Sequence, residues 1–539
     1  MVGIFTGLGA GFERGSGASL GGVGLLGGAG LGRNNEGVFV NAATGNLLVT
    51  QRDEFLIGRG PDAEIARTYN SFGALGENGD HWRQSTDRRV FGLTGTVNTA
   101  GSTIKRVSAD GSEITYSWTG SYYQTTDGGG AHDRLTYADN VWTWRDGDSQ
   151  WTETYSAHGA GTWRITGQSD TSGNTLSFTY TGDQLTRVTT ADGGYIQYSW
   201  SGSNITLMVT GYTNLATSTS QTLTRTRYGH DGQGRLSTVT VDLTPENNSV
   251  SDGQAYTTTY TYHGTSNRIA TISQTDGSSL AIGYDGSGRV TSLTQTVASG
   301  DTRVTGFEYL AGETRVTDPR GQVTRLFYDA AGQLTGVTAP VPQTGGTAST
   351  VAFSYDGAGN LASMTDASGA VTQYRYDAQG NVTYVRHPGG STTLRVYDLA
   401  NKLIQEIQTG AAITLPAGVG NQAPQAATNA ITVTQQQGGG LSLDVAALFS
   451  DPGDTLTYTV SGLPSGLSFS GQMITGTASA TGTYTITATA SDGSLSATKT
   501  FTLAITAPGN QAPVAVNDTV TVPSGTASAI NVLFNDHRS

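Results

Sequence analysis

Apolar and polar residues alternate along most of the chain in short runs, and glycine or aspartate separates the runs. That period of two predicts strands with one buried face. From Val38, VFVNAATGNLLVTQRDEFLIGRG alternates around Thr44-Gly45-Asn46, the pattern of a hairpin, and AEIARTYNSF follows it. A folded domain therefore begins near Val38. Residues 82–200 hold all seven Trp, at 82, 118, 142, 144, 151, 163 and 200, in strands broken by Asp110-Gly111, Asp127-Gly128 and Asp192-Gly193. Asp-Gly marks tight turns because both residues tolerate positive φ. Most of these Trp are expected in a core, and an exposed platform for sugars is the competing reading.

A second pattern overlies the alternation between about Tyr180 and Ile407. The phrase Y-D-x-x-[GN]-x-[LV] occurs at Tyr284-Asp-Gly-Ser-Gly-Arg-Val, Tyr328-Asp-Ala-Ala-Gly-Gln-Leu, Tyr355-Asp-Gly-Ala-Gly-Asn-Leu, Tyr376-Asp-Ala-Gln-Gly-Asn-Val and Tyr397-Asp-Leu-Ala-Asn-Lys-Leu. Looser copies start at Tyr180, one residue short, and at Tyr228, with two extra residues; a degenerate one is Phe307-Glu308-Tyr309. Steps of 21 residues separate Tyr355, Tyr376 and Tyr397, which signals a repeat architecture. In each unit the Asp is placed to accept backbone amides within its turn, and the Gly supplies a conformation that a β-carbon opposes. The strand after it, as in Leu361-Ala-Ser-Met-Thr, returns through a second turn at Asp366-Ala-Ser-Gly369. Each repeat is thus one hairpin. Burying an aromatic and a few aliphatics yields about 1.5–3 kcal/mol per side chain, while ordering the backbone costs a similar sum. A lone hairpin should fail and the array should hold.

Composition sharpens this picture. With 76 Gly, 24 Tyr and only 13 Pro in 539 residues, the expectation is all-β. A net charge of −13, with Lys only at Lys105, Lys402 and Lys499, argues against nucleic-acid binding. The absence of Cys removes disulfides and thiol chemistry. No run of about eighteen apolar residues offers a transmembrane segment. Residues 1–37 are Gly-rich and read as a flexible arm, without the basic and apolar regions of a cleaved signal peptide.

The Tyr-Asp phrases, together with the hairpin and R-x-Y-N-S stretch that precede them, resemble the RHS/YD-repeat family over roughly residues 38–410. The resemblance implies a β-sheet strip that spirals into a partial shell or barrel, with residues 38–176 as its opening region and 177–410 as its repeats. Family members enclose a toxin or contact receptors and glycans at cell surfaces. Asp318-Pro319-Arg320-Gly321 looks like a piece of the family's closing segment, but its place inside a repeat makes it an ordinary turn. The closing segment itself is not found after Tyr397.

A Pro, Ala and Gln linker spans 411–427, and residues 428–507 read as a β-sandwich. LFSDPGDTLTYTVSGLPSGLSF and ITGTASATGTYTITATASDGS resemble cadherin/Ig-like modules of bacterial exoproteins. That resemblance implies a Ca²⁺ site at Asp451, Asp454 and Asp492 with Asn421, oxygen ligands suited to a hard cation. The alternative is an Asp-rich turn satisfied by its own backbone. Residues 508–539 resemble the opening of a second such module, too short to close a sandwich.

Catalytic patterns are sparse. The seven His show no H-E-x-x-H and no i,i+4 pair, and the one G-x-S-x-G, Gly17 to Gly21, has no strand before it. The expectation is a non-catalytic scaffold, extracellular or at the cell surface, for adhesion or toxin encapsulation. Its partners would be a surface glycan or a protein receptor. The rival is a carbohydrate-active surface enzyme built on the Trp-rich region.

Overall fold

The computed structural model describes residues 3–7, 30–31 and 36–507, apart from 410–423 and several shorter internal stretches. The fold is all-β, as the alternation predicts: strands follow one another throughout, with two short 3₁₀ turns among the described residues. The chain divides into two compact units, 1–388 and 389–539.

The first unit opens with a sheet of Gly3–Phe5, Gly30–Leu31, Glu36–Asn41, Leu47–Leu56, Ala63–Asn70 and Trp82–Gln84. The expected hairpin at Thr44-Gly45-Asn46 joins Glu36–Asn41 to Leu47–Leu56. The glycine-rich start is not a free arm over its described residues. Gly3–Phe5 pairs in parallel with Phe39–Asn41, and Ile4 is buried in the core.

Next comes a small closed barrel. Antiparallel strands run in order from Arg89–Thr94 to Thr162–Ser169. The ring shuts where Thr162–Arg164 pairs back onto Arg89–Phe91. Its interior is filled by Val90, Ile104, Tyr116, Tyr123, Leu135, Trp142, Tyr155 and Ile165, so it is a core without a channel. Of the seven Trp, 82, 142, 144 and 163 are buried. The turn at Asp110-Gly111 forms as expected, with the Gly111 amide on the Ser108 carbonyl; Asp127-Gly128 lies outside the described residues.

The second half of Thr162–Ser169 pairs onward with Thr175–Thr181. From there to Val382–Arg386 the unit is one antiparallel meander, each strand pairing with the next. A shift of register falls just before the aromatic of nearly every repeat: before Tyr180, Trp200, His230, Tyr262, Tyr284, Tyr328, Tyr355 and Tyr376. Such a β-bulge adds one residue to a strand and re-aims the side chain that follows. Here it turns the aromatic toward the preceding hairpin. Tyr284 Oη donates to the Ile269 carbonyl at 3.1 Å, Tyr355 to Leu334 at 2.7 Å and Tyr376 to Leu361 at 2.9 Å; Tyr309, which no register shift precedes, donates to Val290 at 2.7 Å. Tyr180, Trp200 and Tyr262 make equivalent bonds to Ile165, Leu185 and Leu236. The accepting residue lies opposite the previous bulged aromatic, so these bonds form a ladder running across the hairpins.

The register corrects one repeat boundary. His230 pairs with Leu236 as Tyr284 pairs with Val290, so the copy reads His230-Asp-Gly-Gln-Gly-Arg-Leu and needs no inserted residues. Tyr228 is released for another role. The turns carry the chemistry assigned to their Asp: Asp285 Oδ1 accepts the Ser287 and Arg289 amides at 2.9 Å, and Asp366 and Asp318 do the same in second turns. Asp318-Pro319-Arg320-Gly321 is therefore an ordinary turn. The residue after the turn Gly donates its side chain to the Asp in several copies, as with Arg235, Arg289, Asn360 and Asn381.

The second unit contains the Tyr397 hairpin, Thr392–Tyr397 with Leu403–Thr409, and a sandwich. One sheet holds Thr432–Gln436, Ser496–Thr506, Gly482–Ser491 and Thr457–Ser461, and its first strand pairs in parallel with its last. Gly440–Asp444, Met473–Thr477 and Leu467–Ser470 pair opposite. Ile431, Val433, Leu441, Leu443, Ile474, Ile486, Phe501 and Leu503 are buried. Lys499 Nζ donates to the Ala427 carbonyl at 2.6 Å, fixing the start of the module.

Candidate functional site

The N-terminal sheet lies against one face of the meander, and charged groups are buried where they meet. Their placement follows from another bulge, at Asp53, between the pairs Arg52–Ala66 and Glu54–Ile65. Consecutive strand residues ordinarily point to opposite faces. The extra residue lets the Asp53 side chain (2% exposed) and Glu54 (3%) both be buried.

Arg67 sits at the centre, fully buried. Its Nη2 donates to Glu36 Oε1 at 3.1 Å and to Tyr260 Oη at 2.7 Å, and its Nη1 donates to Asp53. The meander returns hydroxyls: Tyr228 Oη donates to Asp53 Oδ2 at 2.7 Å and Tyr260 Oη to Glu36. Glu54 is held by Thr210 at 2.6 Å, Thr226 at 2.7 Å and Thr224. Trp82 packs over the cluster with its ring 4.8 Å from Tyr260 and 5.2 Å from Tyr69. Around this centre, backbone groups of the meander bond directly to the sheet. Ile269 N donates to Tyr69 Oη at 3.1 Å, Leu236 N to Asp80 Oδ2 at 3.0 Å and Val290 N to the Gly45 carbonyl at 2.9 Å.

The charges do not balance. Glu36 and Asp53 flank one guanidinium, and Glu54 beside Asp53 rests on threonine hydroxyls; burial raises the pKa of all three, against the pull of Arg67 and the tyrosines on Glu36 and Asp53 and of the threonines on Glu54. The nearby anions hold Arg67 firmly cationic despite its burial. Carboxylates that outnumber the cations in so dry a place are disfavoured as anions, which is the cause of these upward shifts. Its arrangement is that of a dock joining two sheets.

A second buried cluster, in the barrel, balances the other way. Glu153 takes bonds from Arg106 at 2.8 Å, Arg88 and Tyr155, and Arg106 lies 3.8 Å from the Trp144 ring centre. Burial pushes the Glu153 carboxyl up, but the two arginines and the tyrosine outweigh it and hold it at about 2.

Of the calcium ligands implied by sequence, Asp451, Asp454 and Asn421 lie outside the described residues. Asp492 Oδ1 accepts the Leu495 amide at 2.7 Å within its own hairpin, the arrangement expected when backbone satisfies the turn. Among the described residues no three His, Asp or Glu cluster as metal ligands. No helix among them is long and apolar enough to cross a membrane.

Comparison with known families sorts the chain by segment. Residues 311–344 and 355–392 match the family model described as RHS Repeat. Over those residues the array is of the RHS-repeat kind. Residues 423–506 match the model described as "Putative Ig domain", and residues 37–116 a domain of unknown function, DUF6531, which spans the docked sheet and the start of the barrel. No curated protein matches the chain. Among solved structures, the RHS-bearing chain is similar to TcdB2-TccC3-TEV at 11% identity over 68% of this chain and 26% of that one, with a TM-score of 0.36. TcdB2-TccC3 is 11% identical over 84% and 28%, with a TM-score of 0.30. The Tc holotoxin pore of Photorhabdus luminescens with a TccC3 variant is 11% identical over 82% and 32%, with a TM-score of 0.20. The chain thus spans about a quarter to a third of the length of these structures.

Sequence reasoning missed the dock. Its signal was the run Arg52-Asp53-Glu54 inside an otherwise alternating strand. Three consecutive charges there require either an exposed strand or a bulge.

Proposed function

We propose that the chain is a non-catalytic scaffold, displayed outside the cell, whose RHS-repeat sheet serves to enclose or present a partner such as a toxin-like effector. One observation carries this reading. Where the N-terminal sheet docks, the meander is sealed, with Ile269, Ile272 and Val290 at 0% exposure. From Thr350 to Tyr376 the strands are only half-buried, and Phe353, Leu361, Met364 and Tyr374 form a partly open apolar row. A sheet built to hold itself together at one end and to offer apolar surface at the other suits a container better than a catalyst. The RHS-repeat match over the same segment supports it.

Fractionation of cells expressing the full chain, followed by protease treatment of intact cells, tests the reading. It predicts export and protease-accessible chain, and a wholly cytoplasmic product overturns it. Calcium enters only through Asp451, Asp454, Asp492 and Asn421. Calorimetry of the full chain with about millimolar Ca²⁺, the range of extracellular modules, should show heat that Asp492→Asn abolishes; absence of heat removes calcium from the proposal.

A further inference from the structure

The barrel shuts on a pair of like charges. Where Thr162–Arg164 meets Arg89–Phe91, the register sets Arg164 directly opposite Arg89. Side chains directly opposite in an antiparallel pair share a face, with β-carbons about 4.5–5.5 Å apart, and like charges placed so weaken the pairing. A guanidinium cannot relieve this by losing its proton. Both arginines line a cavity of about 320 Å³, within the roughly 300–1,000 Å³ that small-molecule sites occupy. The cavity is a wedge: Thr162–Ser169 divides one edge between two partners, Arg89–Phe91 and Thr175–Ser177, which diverge where they part.

The bonds these two arginines make leave donors over. Arg89 Nη2 lies 2.5 Å from Asp87 Oδ2, but Arg83 Nη2 stands 3.3 Å from the same oxygen, so one carboxylate answers two cations. Arg89 Nε is buried and has no hydrogen-bond partner among the described residues. Arg164 Nη1 donates to the Gly182 carbonyl at 2.8 Å and its guanidinium lies 3.9 Å from the Tyr180 ring centre, while no carboxylate among the described residues pairs with it.

The rest of the lining is consistent with an anion between them. Thr86, Thr162 and His158 add hydroxyl and imidazole groups. Asp183, 3.3 Å from His158 Nε2, is 88% exposed, where water screens its charge. Arg88 is committed to Glu153, and Tyr180 and Trp200 to the ladder, so recognition falls to Arg89 and Arg164. Two planar forks on one face suit an oxyanion, which each can hold through paired N–H donors and which cancels the repulsion between them. We propose that this closing pair is a binding site for a small organic oxyanion, a phosphate monoester or a carboxylate.

Saturation-transfer NMR on the full chain with phenyl phosphate, benzoate and, as the uncharged control, benzyl alcohol, each at about 1 mM in about 50 mM salt, tests the proposal. At least one anion should bind, and which one does so decides between phosphate and carboxylate; benzyl alcohol should not bind. Arg164→Gln should weaken binding about tenfold or more, the worth of a charge-assisted hydrogen bond, and Arg164→Lys, which keeps the charge but loses the fork, should fall between. The anion should raise the melting temperature of the wild-type chain and leave that of Arg164→Gln unmoved, a readout that holds whatever the variant's own stability. Binding by neither anion, equal binding by benzyl alcohol, or binding unchanged in Arg164→Gln overturns the proposal. The test involves neither export nor the half-open strands, so a negative result leaves the container reading intact.

Discussion

Replacing Arg67 by Met should open the dock, and the size of the effect follows from what Arg67 leaves behind. The substitution removes the one cation that, among the described residues, pairs with Glu36 and Asp53, while keeping most of the buried volume. Breaking a buried ion pair from one side costs about 3–5 kcal/mol. The cost should depend on pH with a definite sign. Glu36, Asp53 and Glu54 have folded pKa values raised above their unfolded ones. Their contribution to stability is therefore fully present below the unfolded carboxylate range and is lost as pH rises through the raised values. The Arg67→Met chain should accordingly suffer most at pH 8 and recover toward pH 5, where the orphaned acids take protons. Three backbone amides report the event directly, because Leu236, Ile269 and Val290 donate to groups of the N-terminal sheet. An opening penalty of about 4 kcal/mol corresponds to a loss of protection of roughly a thousandfold. Hydrogen exchange should show that loss at these amides at pH 8 and a much smaller one at pH 5, after correction for intrinsic rates. Adding Glu36→Gln and Asp53→Asn should restore much of it. Unchanged protection, or equal loss at both pH values, would refute the assignment of the cluster as a charge-dependent dock.

Other consequences can be checked alongside. Glu153 is held at about 2, below its unfolded value, so its stabilisation is present above about pH 4.5 and is lost as pH falls toward 2; Glu153→Gln should flatten that acid limb in urea titrations and destabilise the barrel by about 3 kcal/mol at neutral pH. Tyr355→Phe and Tyr376→Phe each remove one rung of the ladder and should each cost about 1 kcal/mol, read as exchange at the preceding hairpin. Gly45 has φ +76, and a β-carbon there would stand 2.4 Å from Arg289 Cβ; Gly45→Ala should weaken docking by about 1–3 kcal/mol from backbone strain alone, seen as faster exchange at Val290.

Much of the repeat array was legible because its determinants are local. An Asp four residues before a side chain that can bond to it, with Gly between them, writes the turn directly into the sequence. The bulges were not legible, since a bulge depends on the partner strand; this is why His230 passed unrecognised as the aromatic of its copy and why Tyr262 and Trp200 were not counted. Barrel closure was hidden for the same reason. Arg89 and Arg164 stand far apart in the chain, and nothing near either announces the pairing. The Trp-rich stretch was read correctly as mostly core, but alternation alone cannot tell hairpins in a row from hairpins in a ring. The candidate metal ligands came from resemblance alone, and the one described, Asp492, is used by its own turn. The dock is the clearest case of tertiary context overriding pattern, because three adjacent charged residues read most simply as an exposed strand.

The tyrosine ladder also assigns different freedoms to different loops. Each rung joins the aromatic of one repeat to the backbone of the one before, so chain length between Tyr and its apolar partner is fixed by bonding on both sides. Two returning connections carry no such bond among their described residues. The one between Leu243 and Gln254 and the one between Ala339 and Ser349 are each closed by a backbone hydrogen bond, at 2.9 and 2.8 Å. Doubling a flexible loop costs only about 0.6 kcal/mol in closure entropy. Those two connections are where foreign peptides could be grafted without disturbing the array, making the strip a display frame with its insertion ports already marked.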